Sequence, residues 1–430
     1  MALIGGCVKK KLFFRGPVLT RSGYGEQSRF ALRALAARQD IFDIYIQPLT
    51  WGHTSWTSDI SEERAWIDQT VEKTIAYTQN GGKFDVSFQV TIPNEWEKIA
   101  PINIGYTAGI ETSKVSHQWI QHGNEMDGIV VVSNHSKNTY VHTEYQAQDQ
   151  NTGKQFLFKL ETPVVTVNYP AKKFENLPEV ELDLKTEFNF LAVAQWGPRK
   201  NMPNTIKWFI EEFKDEEVGL IVKTNMAKNC HMDREVVFGQ LNALANQIAP
   251  DRKCKLYLLH GDLTDEEMHS VYTHDKVSAL VSLTHGEGFG LPLFEAAYTG
   301  LPVICTGWSG QLDFLVDEEG KNNYYNVGFD LSKVQPEVVW DGVLIADSMW
   351  SYAREASTKE KMRQCYEDIV SKNEESIAIQ ACNYANYTQD RFSQEKQYGL
   401  MVDTVMNFIG TSFEEQEEWR GILDQVVEYE

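Results

Sequence analysis

The chain has 430 residues, of which 42% are hydrophobic and 12% aromatic, and its formal net charge at pH 7 is −21. This length exceeds what a single hydrophobic core supports, so we expect two domains, and the composition excludes an intrinsically disordered chain. The strong negative charge argues against broad, non-specific binding to nucleic acid.

The charges are distributed unevenly along the chain. The first 38 residues carry eight Lys or Arg against one acid, Glu26, whereas the residues from 410 onward are acidic. A basic face on the first domain would suit an anionic acceptor such as a lipid phosphate or DNA. The alternative is that these charges only solvate helix faces.

Several features indicate a cytoplasmic protein. The six cysteines, Cys7 among them, lack metal-ligand spacing, and no run approaches the ~18 apolar residues of a membrane span. The first ten residues do not have the pattern of a secretion signal. We therefore expect a reduced, intracellular protein with no transmembrane segment.

The chain opens with a pattern of strand, glycine loop and helix. The strand is predicted at Lys11–Phe14, the loop at Gly16–Gly25 and the helix at Glu26–Arg38. This is a Rossmann-like opening, but it lacks the third glycine and the ribose acid of a dinucleotide fingerprint. The glycines therefore either face a ligand or form a tight packing turn.

Further strands of the first domain are predicted at 41–47, 84–90, 103–111, 126–133 and 164–168. In open α/β sheets, ligands bind beyond the carboxyl ends of strands, which makes Glu111 and Ser133 site candidates. His117, six residues after Glu111, is a third candidate, and an ordinary structural role is the alternative for each.

The second domain is predicted to follow a charged linker at 172–187. Its first strand spans 188–194, and the loop after it carries Arg199 and Lys200, before a helix that starts at Pro203. Two adjacent cations in a strand-to-helix loop suit a diphosphate, because Arg offers a fork and Lys a point charge. The alternative is that both are solvated loop charges.

The most specific pattern lies between residues 276 and 315. A strand at Val277–Leu283 runs into the loop His285–Gly290, and a helix follows from Pro292 to its C-cap, Gly300. A glycine loop that leads into a helix N-terminus is typical of an anion site. The carboxylates of Glu287 and Glu295 can each accept hydrogen bonds from a sugar diol, although both acids could simply favour the helix dipole.

The string from Glu287 to Glu295, Glu-Gly-Phe-Gly-Leu-Pro-Leu-Phe-Glu, resembles the paired-glutamate motif of retaining glycosyltransferases of family 4, also called glycosyl transferases group 1. The downstream Gly-Leu-Pro-Val-Ile-Cys-Thr and Gly310 match the family as well. The resemblance implies an α/β chain with the GT-B fold, in which two Rossmann-like domains face each other across a cleft. The implied parts are an acceptor-side domain at 1–183, a nucleotide-sugar-binding domain at 184–385, and a C-terminal helix crossing back to the first domain, with an acidic tail, at 386–430. The residue pattern predicts one long helix over 387–409 and a final surface helix in the tail from Gly410.

The resemblance also implies roles for individual residues. Lys200, Arg199 and the loop amides would stabilise the leaving diphosphate, Glu295 would hold the ribose, and Glu287 a hydroxyl of the donor sugar. The family's arginine at the end of the preceding strand is replaced here by Gln195, so Arg199 or Lys223 would supply that charge. The catalytic candidates are Glu287, Lys200, Arg199 and Glu111. The donor-binding candidates are Glu295, Gly288, Phe289, Gly290, Leu291, Lys223, Gly261, Leu263 and Gly310. The acceptor-side candidates are Gly23, Tyr24, Gly25, His117 and Ser133.

The resulting hypothesis is a retaining, metal-independent hexosyl- or pentosyltransferase with no cofactor, for which a nucleotide-sugar is the co-substrate. The alternatives are a glycosyltransferase acting on a modified DNA base, a nucleotide-sugar epimerase or phosphorylase, and a non-catalytic nucleotide-sugar-binding subunit. The donor nucleotide, the donor sugar, the acceptor and the oligomeric state stay open.

Overall fold

The computed structural model describes residues 9–52, 54–57 and 60–427, with side chains up to residue 412. Cys7 and the acidic side chains expected in the C-terminal tail lie outside this part. Contacts between Cα atoms divide the chain into two compact units. Unit 1 comprises Met1–Gly109, Val115–Pro170 and Gln394–Glu430, and unit 2 comprises Ile110–Lys114 and Ala171–Ser393.

The strands of the described chain are β1 (Lys10–Gly16), β2 (Phe42–Pro48), β3 (Val86–Val90), β4 (Ile102–Thr107), β5 (Gly128–Val131), β6 (Glu144–Gln148), β7 (Gln155–Lys159), β8 (Val164–Thr166), β9 (Phe188–Val193), β10 (Val218–Lys223), β11 (Lys255–Leu259), β12 (Val277–Ser282), β13 (Val303–Thr306), β14 (Tyr325–Val327), β15 (Phe329–Lys333) and β16 (Met349–Ala353).

The α-helices are α1 (Gly23–Ala36), α2 (Glu62–Gln79), α3 (His117–Gly123), α4 (Asn134–His142), α5 (Met202–Phe213), α6 (His231–Ile248), α7 (Asp265–Tyr272), α8 (Leu291–Thr299), α9 (Leu312–Leu315), α10 (Glu355–Val370), α11 (Ile377–Arg391) and α12 (Gln394–Val427). Short 3-10 turns occur at Pro93–Glu95, Pro198–Lys200 and Pro336–Val338.

Unit 1 is built on a parallel six-stranded sheet in the order β2-β1-β3-β4-β5-β8. Every residue of β3 and β4 is buried, as expected for parallel strands that are covered on both faces. The C-terminal helix α12 packs against α1 and β4, so both ends of the chain contribute to this unit. The expected return of the last helix to the first domain is confirmed.

Unit 2 has a second parallel six-stranded sheet, in the order β11-β10-β9-β12-β13-β14. Its core includes the apolar face of α5, where the rings of Phe209 and Phe213 lie 6.0 Å and 5.5 Å from that of Phe190 on β9. The two sheets confirm the predicted α/β class with two Rossmann-like domains. Searching the described residues finds no helix with the length and apolar character of a membrane span.

Two antiparallel hairpins were not predicted from the sequence. β6 pairs with β7 in unit 1, and β15 pairs with β16 in unit 2. Both lie outside the parallel sheets, and their exposed faces give a weaker apolar pattern than the buried strands do.

The prediction of one helix over 387–409 was wrong. α11 ends at Arg391 and α12 begins at Gln394. Phe392 leaves the helical conformation, with φ −104° and ψ 28°, and its buried ring lies 5.3 Å from the ring of Phe294. Its carbonyl accepts a hydrogen bond from the amide of Ala171 at 2.7 Å. Long-range packing therefore interrupts a helical pattern that continues in the sequence. The residues after 410 continue α12 to Val427 and do not form the separate final helix that we expected.

The strand predicted at 103–111 was too long, because β4 ends at Thr107. Gly109 has a φ of +76°, and a Cβ atom there would lie 1.9 Å from the Ser136 hydroxyl. The chain thus turns away from the sheet before Glu111, which belongs to a short segment of unit 2.

Candidate functional site

The candidate site lies where the strand order of the second sheet reverses. From β9 the chain moves outward through β10 and β11, and it then returns to place β12 on the other side of β9. Ligands of open α/β sheets bind at such a switch point, outside the carboxyl ends of the strands. The two loops that begin here carry Arg199 and Lys200 after β9 and Glu287 after β12.

Four charged side chains form what we call the ion cluster: Arg199, Lys200, Glu287 and Glu111. The Lys200 Nζ atom donates to Glu287 Oε1 at 2.5 Å, and Arg199 Nη1 donates to Glu287 Oε2 at 3.0 Å. Arg199 Nη1 also lies 3.3 Å from Glu111 Oε1. Two cations and two carboxylates, distant in sequence, are therefore brought together.

Burial and the neighbouring charges shift the pKa of the Glu287 carboxyl in opposite directions. Glu287 is 7% exposed, and burial alone would raise the pKa of its carboxyl, but Lys200 and Arg199 outweigh burial and lower that pKa to about 2. Burial lowers the pKa of Lys200, and the neighbouring Arg199 lowers it further, against the attraction of Glu287. Glu287 is thus ionised at any pH near neutral.

Backbone contacts hold the two loops together. The amide of His285 donates to the carbonyl of Arg199 at 2.9 Å, and the Asn201 side chain donates to the carbonyl of Leu283 at 3.2 Å. Asn201 itself has a left-handed φ of 53°, a conformation that asparagine tolerates better than most residues. The loops after β9 and β12 therefore form one bonded unit.

The loop after β13 supports Glu287 from the other side. The Glu287 amide donates to the Ser309 hydroxyl at 2.8 Å, and the Gly310 amide donates to the Glu287 carbonyl at 3.0 Å. A Cβ atom on Gly310 would lie 2.0 Å from the carbonyl oxygen of Gly288. Gly310 thus allows two backbones to touch.

The glycine loop ends at the N-terminus of α8. Gly290, with a φ of +95°, is the N-cap, and Leu291 is the first helical residue. The Phe289 ring is buried and lies 5.0 Å from the rings of Phe294 and Phe314. The ring of Phe289 belongs to the core, so Gly288 and Phe289 can offer a ligand only their backbone groups. The N–H groups at a helix N-terminus and the helix dipole favour an anion.

The second glutamate of the motif lies one turn inside α8. Glu295 Oε2 accepts a hydrogen bond from the Tyr272 hydroxyl, at the end of α7, at 2.8 Å. The sequence did not identify Tyr272 as a site residue, because its partner is 23 positions away and on another helix.

Lys223 is the last residue of β10 and does not belong to the ion cluster. Its Nζ atom donates to the carbonyl of Gly261 at 2.6 Å, and burial lowers its pKa against the attraction of Asp262. Gly261 has a φ of +119°, and Leu263 is partly exposed two residues later. Lys223 therefore fixes the loop that carries the donor-binding candidates Gly261 and Leu263.

Gln195 is the residue that aligns by sequence with the arginine of the family that this chain resembles. Its amide donates to the carbonyl of Met226 at 2.9 Å and supplies no charge. Of the two candidate replacements, Arg199 lies in the ion cluster and Lys223 points to Gly261.

Sequence reasoning missed the contacts that Asp233 makes in the first turn of α6. Asp233 accepts hydrogen bonds from the amides of Met226 and Ala227, each at 3.1 Å, and pairs with His260 Nε2 at 2.9 Å. The available signal was an acid in the first turn of α6. This pair ties the loop after β10 to the loop after β11.

His285 anchors the β15–β16 hairpin to the glycine loop. Its Nδ1 donates to the carbonyl of Ser351 at 2.7 Å, and its ring lies 5.0 Å from that of Trp350. Burial lowers the pKa of His285, with Ser351 opposing and Arg199 adding to the effect, so the imidazole is neutral. A histidine inside the glycine loop was the only sequence signal for this contact.

The backbone of Glu111 is also held in place. Its carbonyl accepts from Trp308 Nε1 at 3.1 Å, and a Cβ atom on Gly286 would lie only 2.4 Å from that carbonyl. Contacts from two different loops therefore seat Glu111 beside Arg199.

The predicted acceptor-side loop, Gly23-Tyr24-Gly25, is the first turn of α1, so the expected helix start at Glu26 was three residues late. The Tyr24 hydroxyl shares a hydrogen bond with the Thr107 hydroxyl at 2.9 Å, and its ring lies 4.4 Å from that of Trp51. A Cβ atom on Gly25 would lie 1.9 Å from the carbonyl of Thr20. The close approach of the Thr20 carbonyl explains why residue 25 is a glycine.

The other two acceptor-side candidates begin helices of unit 1. His117 is the exposed first residue of α3, and its ring lies 6.0 Å from that of Tyr145. Ser133 is fully buried and caps α4 by accepting from the amide of Ser136 at 3.1 Å. Their contact with an acceptor stays a prediction.

Comparison with known proteins identifies the segment around this site. Residues 236–326 match the family model of glycosyl transferases group 1. A stretch of 119 residues is 32% identical to the serotype-specific mannosyltransferase WbdA of Escherichia coli, and it covers 27% of this chain and 13% of that protein. The chain thus spans a small part of the length of that relative.

Solved structures resemble the chain over nearly its whole length. A glycosyltransferase from Rickettsia africae ESF-5 aligns with a TM-score of 0.60 at 11% identity, over 94% of this chain and 99% of that chain. The sucrose-phosphate synthase of Thermosynechococcus elongatus aligns with a TM-score of 0.58 at 11% identity, over 94% and 100%. Anabaena Alr3699/HepE, solved with UDP and glucose, aligns with a TM-score of 0.54 at 12% identity, over 93% and 100%.

At such identities these structures establish the fold, whereas the family match rests on the segment that contains both glutamates of the motif. The chain therefore has the GT-B fold, and its segment 236–326 resembles glycosyl transferases group 1.

Proposed function

We propose that this chain is a retaining glycosyltransferase that moves a sugar from a nucleotide-diphosphate-sugar to an acceptor hydroxyl. The observation that carries the proposal is the ion cluster at the switch point of the second sheet, beside the N-terminus of α8. It unites a fork-shaped cation, a second cation and a buried carboxylate next to the N-terminus of α8. This combination suits a diphosphate joined to a sugar.

In the reaction, the bond between sugar C1 and the β-phosphate oxygen breaks, and the diphosphate leaves with the bonding electrons. Arg199, Lys200 and the amides at the start of α8 would stabilise this charge, because they are already oriented before the reaction. The acceptor oxygen bonds to C1 on the face that the diphosphate leaves, and its proton passes to the departing phosphate oxygen. The anomeric configuration is thereby retained.

Glu287 has two roles in this proposal. It holds both cations in place, and it is near enough to the diphosphate position to accept a hydrogen bond from a hydroxyl of the donor sugar. We assign it no covalent bond to the sugar. Glu295 would hold the ribose, and the loop after β11, which includes Gly261 and Leu263, would contact the base.

Glu111 would exchange its partner when the donor binds. In the structure it neutralises Arg199 from 3.3 Å, and its side chain is 23% exposed against 9% for Glu287. Of the two carboxylates around Arg199, Glu111 is therefore the easier to displace by a diphosphate. Glu111→Gln should tighten the binding of a free nucleoside diphosphate while slowing sugar transfer.

The acceptor side and the cellular location are also part of the proposal. Tyr24 and His117 in unit 1 would contact the acceptor, and an anionic acceptor remains the specific hypothesis to test. A cytoplasmic location is supported by the free thiols of the described cysteines. Since the relative WbdA is a mannosyltransferase, GDP-mannose belongs with UDP-glucose among the first donors to test.

The test is donor turnover by the purified chain, with UDP-, GDP- and ADP-sugars and a panel of acceptors, and with the anomer of the product assigned by NMR. Glu287→Gln and Lys200→Ala should each lower transfer by about 10²- to 10³-fold, as loss of a preorganised charge does. Glu63→Gln is the matched control, because Glu63 pairs with Arg33 in unit 1, away from this sheet. A product of inverted configuration, or an epimerised donor, would overturn the proposal, as would unchanged transfer in both site variants.

A further inference from the structure

A buried hydroxyl contacts the second glutamate of the motif. Tyr272 is the last residue of α7 and is only 3% exposed, and its hydroxyl donates to Glu295 Oε2 at 2.8 Å. A phenol hydroxyl that leaves water needs a partner, because an unpaired one is costly to bury. Glu295 provides that partner.

The position of α7 gives this contact a consequence for ligand binding. The helix begins with a capping box of Thr264 and Glu267, directly after the loop at 260–263, and it packs along α8. One end of α7 is therefore continuous with the loop proposed to contact the base, and the other end fixes the glutamate proposed to hold the ribose. The helix is short and capped, so the two ends keep a constant separation.

The protonation state of Tyr272 determines which of the two side chains donates the hydrogen bond. Burial raises the pKa of Tyr272 well above its ordinary range, and the neighbouring Glu295 raises it further. The phenol is therefore protonated and acts as a donor whenever Glu295 is ionised. A carboxylate accepts about four hydrogen bonds, and the bond from Tyr272 fixes the orientation of the Glu295 carboxylate that would accept from a vicinal diol.

We infer that Tyr272 is a positioning residue that acts through Glu295 and makes the site discriminate ribose from deoxyribose nucleotides. The inference rests on the proposed function, because it takes the ligand of Glu295 to be the ribose of a nucleotide donor. Tyr272 itself does not contact the ligand; it sets the orientation of the group that does.

The test measures the Kd values of UDP, GDP and ADP and of their 2′,3′-dideoxy counterparts by calorimetry. In the wild type, the nucleotide that binds should lose about 10- to 100-fold in affinity without its ribose hydroxyls, because a site built to hydrogen-bond a hydroxyl rejects an analogue that lacks it. We call the Kd of the dideoxy nucleotide divided by the Kd of the ribonucleotide the ribose ratio. Tyr272→Phe keeps the ring and removes the hydroxyl, and it should reduce the ribose ratio by about tenfold. In a Glu295→Gln background, Tyr272→Phe should change the ratio by less than about twofold, because the two residues act as a unit.

Tyr140→Phe is the matched control. Tyr140 is fully buried in unit 1, and its hydroxyl donates to the carbonyl of Trp119 at 2.5 Å. The Tyr140→Phe variant should lower the thermal midpoint about as much as Tyr272→Phe does, and it should leave the ribose ratio unchanged. A merely structural role for Tyr272 would give the same result at both positions and would overturn the inference.

The outcomes separate the inference from the proposed function. Full ribose preference in Tyr272→Phe, or a wild type that binds a nucleotide with no ribose preference, overturns the inference and leaves the transferase proposal in place. A wild type that binds none of the three nucleotides and transfers no sugar overturns both.

Discussion

Glu287 lies between two cations in a position that is 7% exposed, and this determines how its charge affects the fold. Burial would raise the pKa of the carboxyl, but Lys200 and Arg199 lower it from 4.5 to about 2. Because the pKa is lower in the folded state, ionised Glu287 stabilises the fold above pH ~4.5. That stabilisation is lost as the pH falls through the folded-state pKa.

Glu287→Gln should therefore lower the free energy of unfolding of unit 2 by about 3 kcal/mol near neutral pH, because two partly buried cations lose the carboxylate that they share. The difference from the wild type should narrow as the pH falls from about 6 to about 3, where the wild-type carboxyl begins to protonate. Hydrogen exchange of the β9 and β12 amides across this pH range measures the difference.

The control for this prediction is Glu63→Gln. Glu63 pairs with Arg33, and its side chain is 34% exposed, so its loss should cost below about 1 kcal/mol. A difference for Glu287→Gln that stays constant from neutral to acidic pH would show that its charge does not stabilise the fold.

At the level of elements, the site depends on the close approach of two loops. The loops after β12 and β13 meet where Gly310 lies against the Gly288 carbonyl, and the Gly310 amide bonds the Glu287 carbonyl. Because backbone atoms of Gly310 and Gly288 make this contact, no flexible side chain can move aside to relieve a clash. The separation of these loops therefore sets the position of the N-terminus of α8 relative to Glu287.

Gly310→Ala should separate the two loops, because its Cβ atom would lie 2.0 Å from the Gly288 carbonyl oxygen. We expect nucleotide affinity to fall by at least about tenfold and the thermal midpoint to fall with a loss of about 2 kcal/mol, in the range for overpacked sites. Calorimetry and thermal unfolding measure the two effects.

Gly239→Ala on α6 is the matched control, since a Cβ atom there meets nothing within 4 Å. Alanine is a better helix former than glycine by about 1 kcal/mol, so this variant should be neutral or more stable. Equal behaviour of the two variants would mean that the loops tolerate separation.

The sequence predicted the strands of the first sheet, β9 and β12 of the second, and the loops that carry Arg199, Lys200 and Glu287, because buried parallel strands and glycine loops have strong local patterns. It did not predict the partners of those loops. Tyr272 and Glu295 belong to different helices, and their contact depends on how α7 packs against α8, which no local pattern specifies.

The same reason explains the errors at the ends of elements. The helical pattern of residues 387–409 continues in sequence, but the packing of Phe392 against Phe294 ends α11 there. Glu111 reads as the end of a strand, yet Gly109 turns the chain away after Thr107. In both cases a contact that is distant in sequence outweighs the local preference.

At the scale of the whole molecule, the two ends of the chain fold together in unit 1. The ring of Tyr398 on α12 lies 5.8 Å from that of Phe30 on α1. The ring of Phe408 covers Gly128 at the start of β5, where a Cβ atom would lie 2.4 Å from it. The helical covering of the first sheet is therefore completed only after the second unit has been synthesised.

Phe408→Ala should remove a ring that is 6% exposed and leave a cavity over Gly128, at a cost of about 3 to 5 kcal/mol. Because α12 belongs to unit 1, the loss should be confined to that unit. Hydrogen exchange should speed up at the amides of α1 and β5 and stay unchanged at those of β9 and β12. Leu400→Ala, at a side chain that is 41% exposed on the same helix, should leave both sets unchanged. Equal acceleration in both sheets would show that the units unfold together and that α12 stabilises the molecule as one cooperative body.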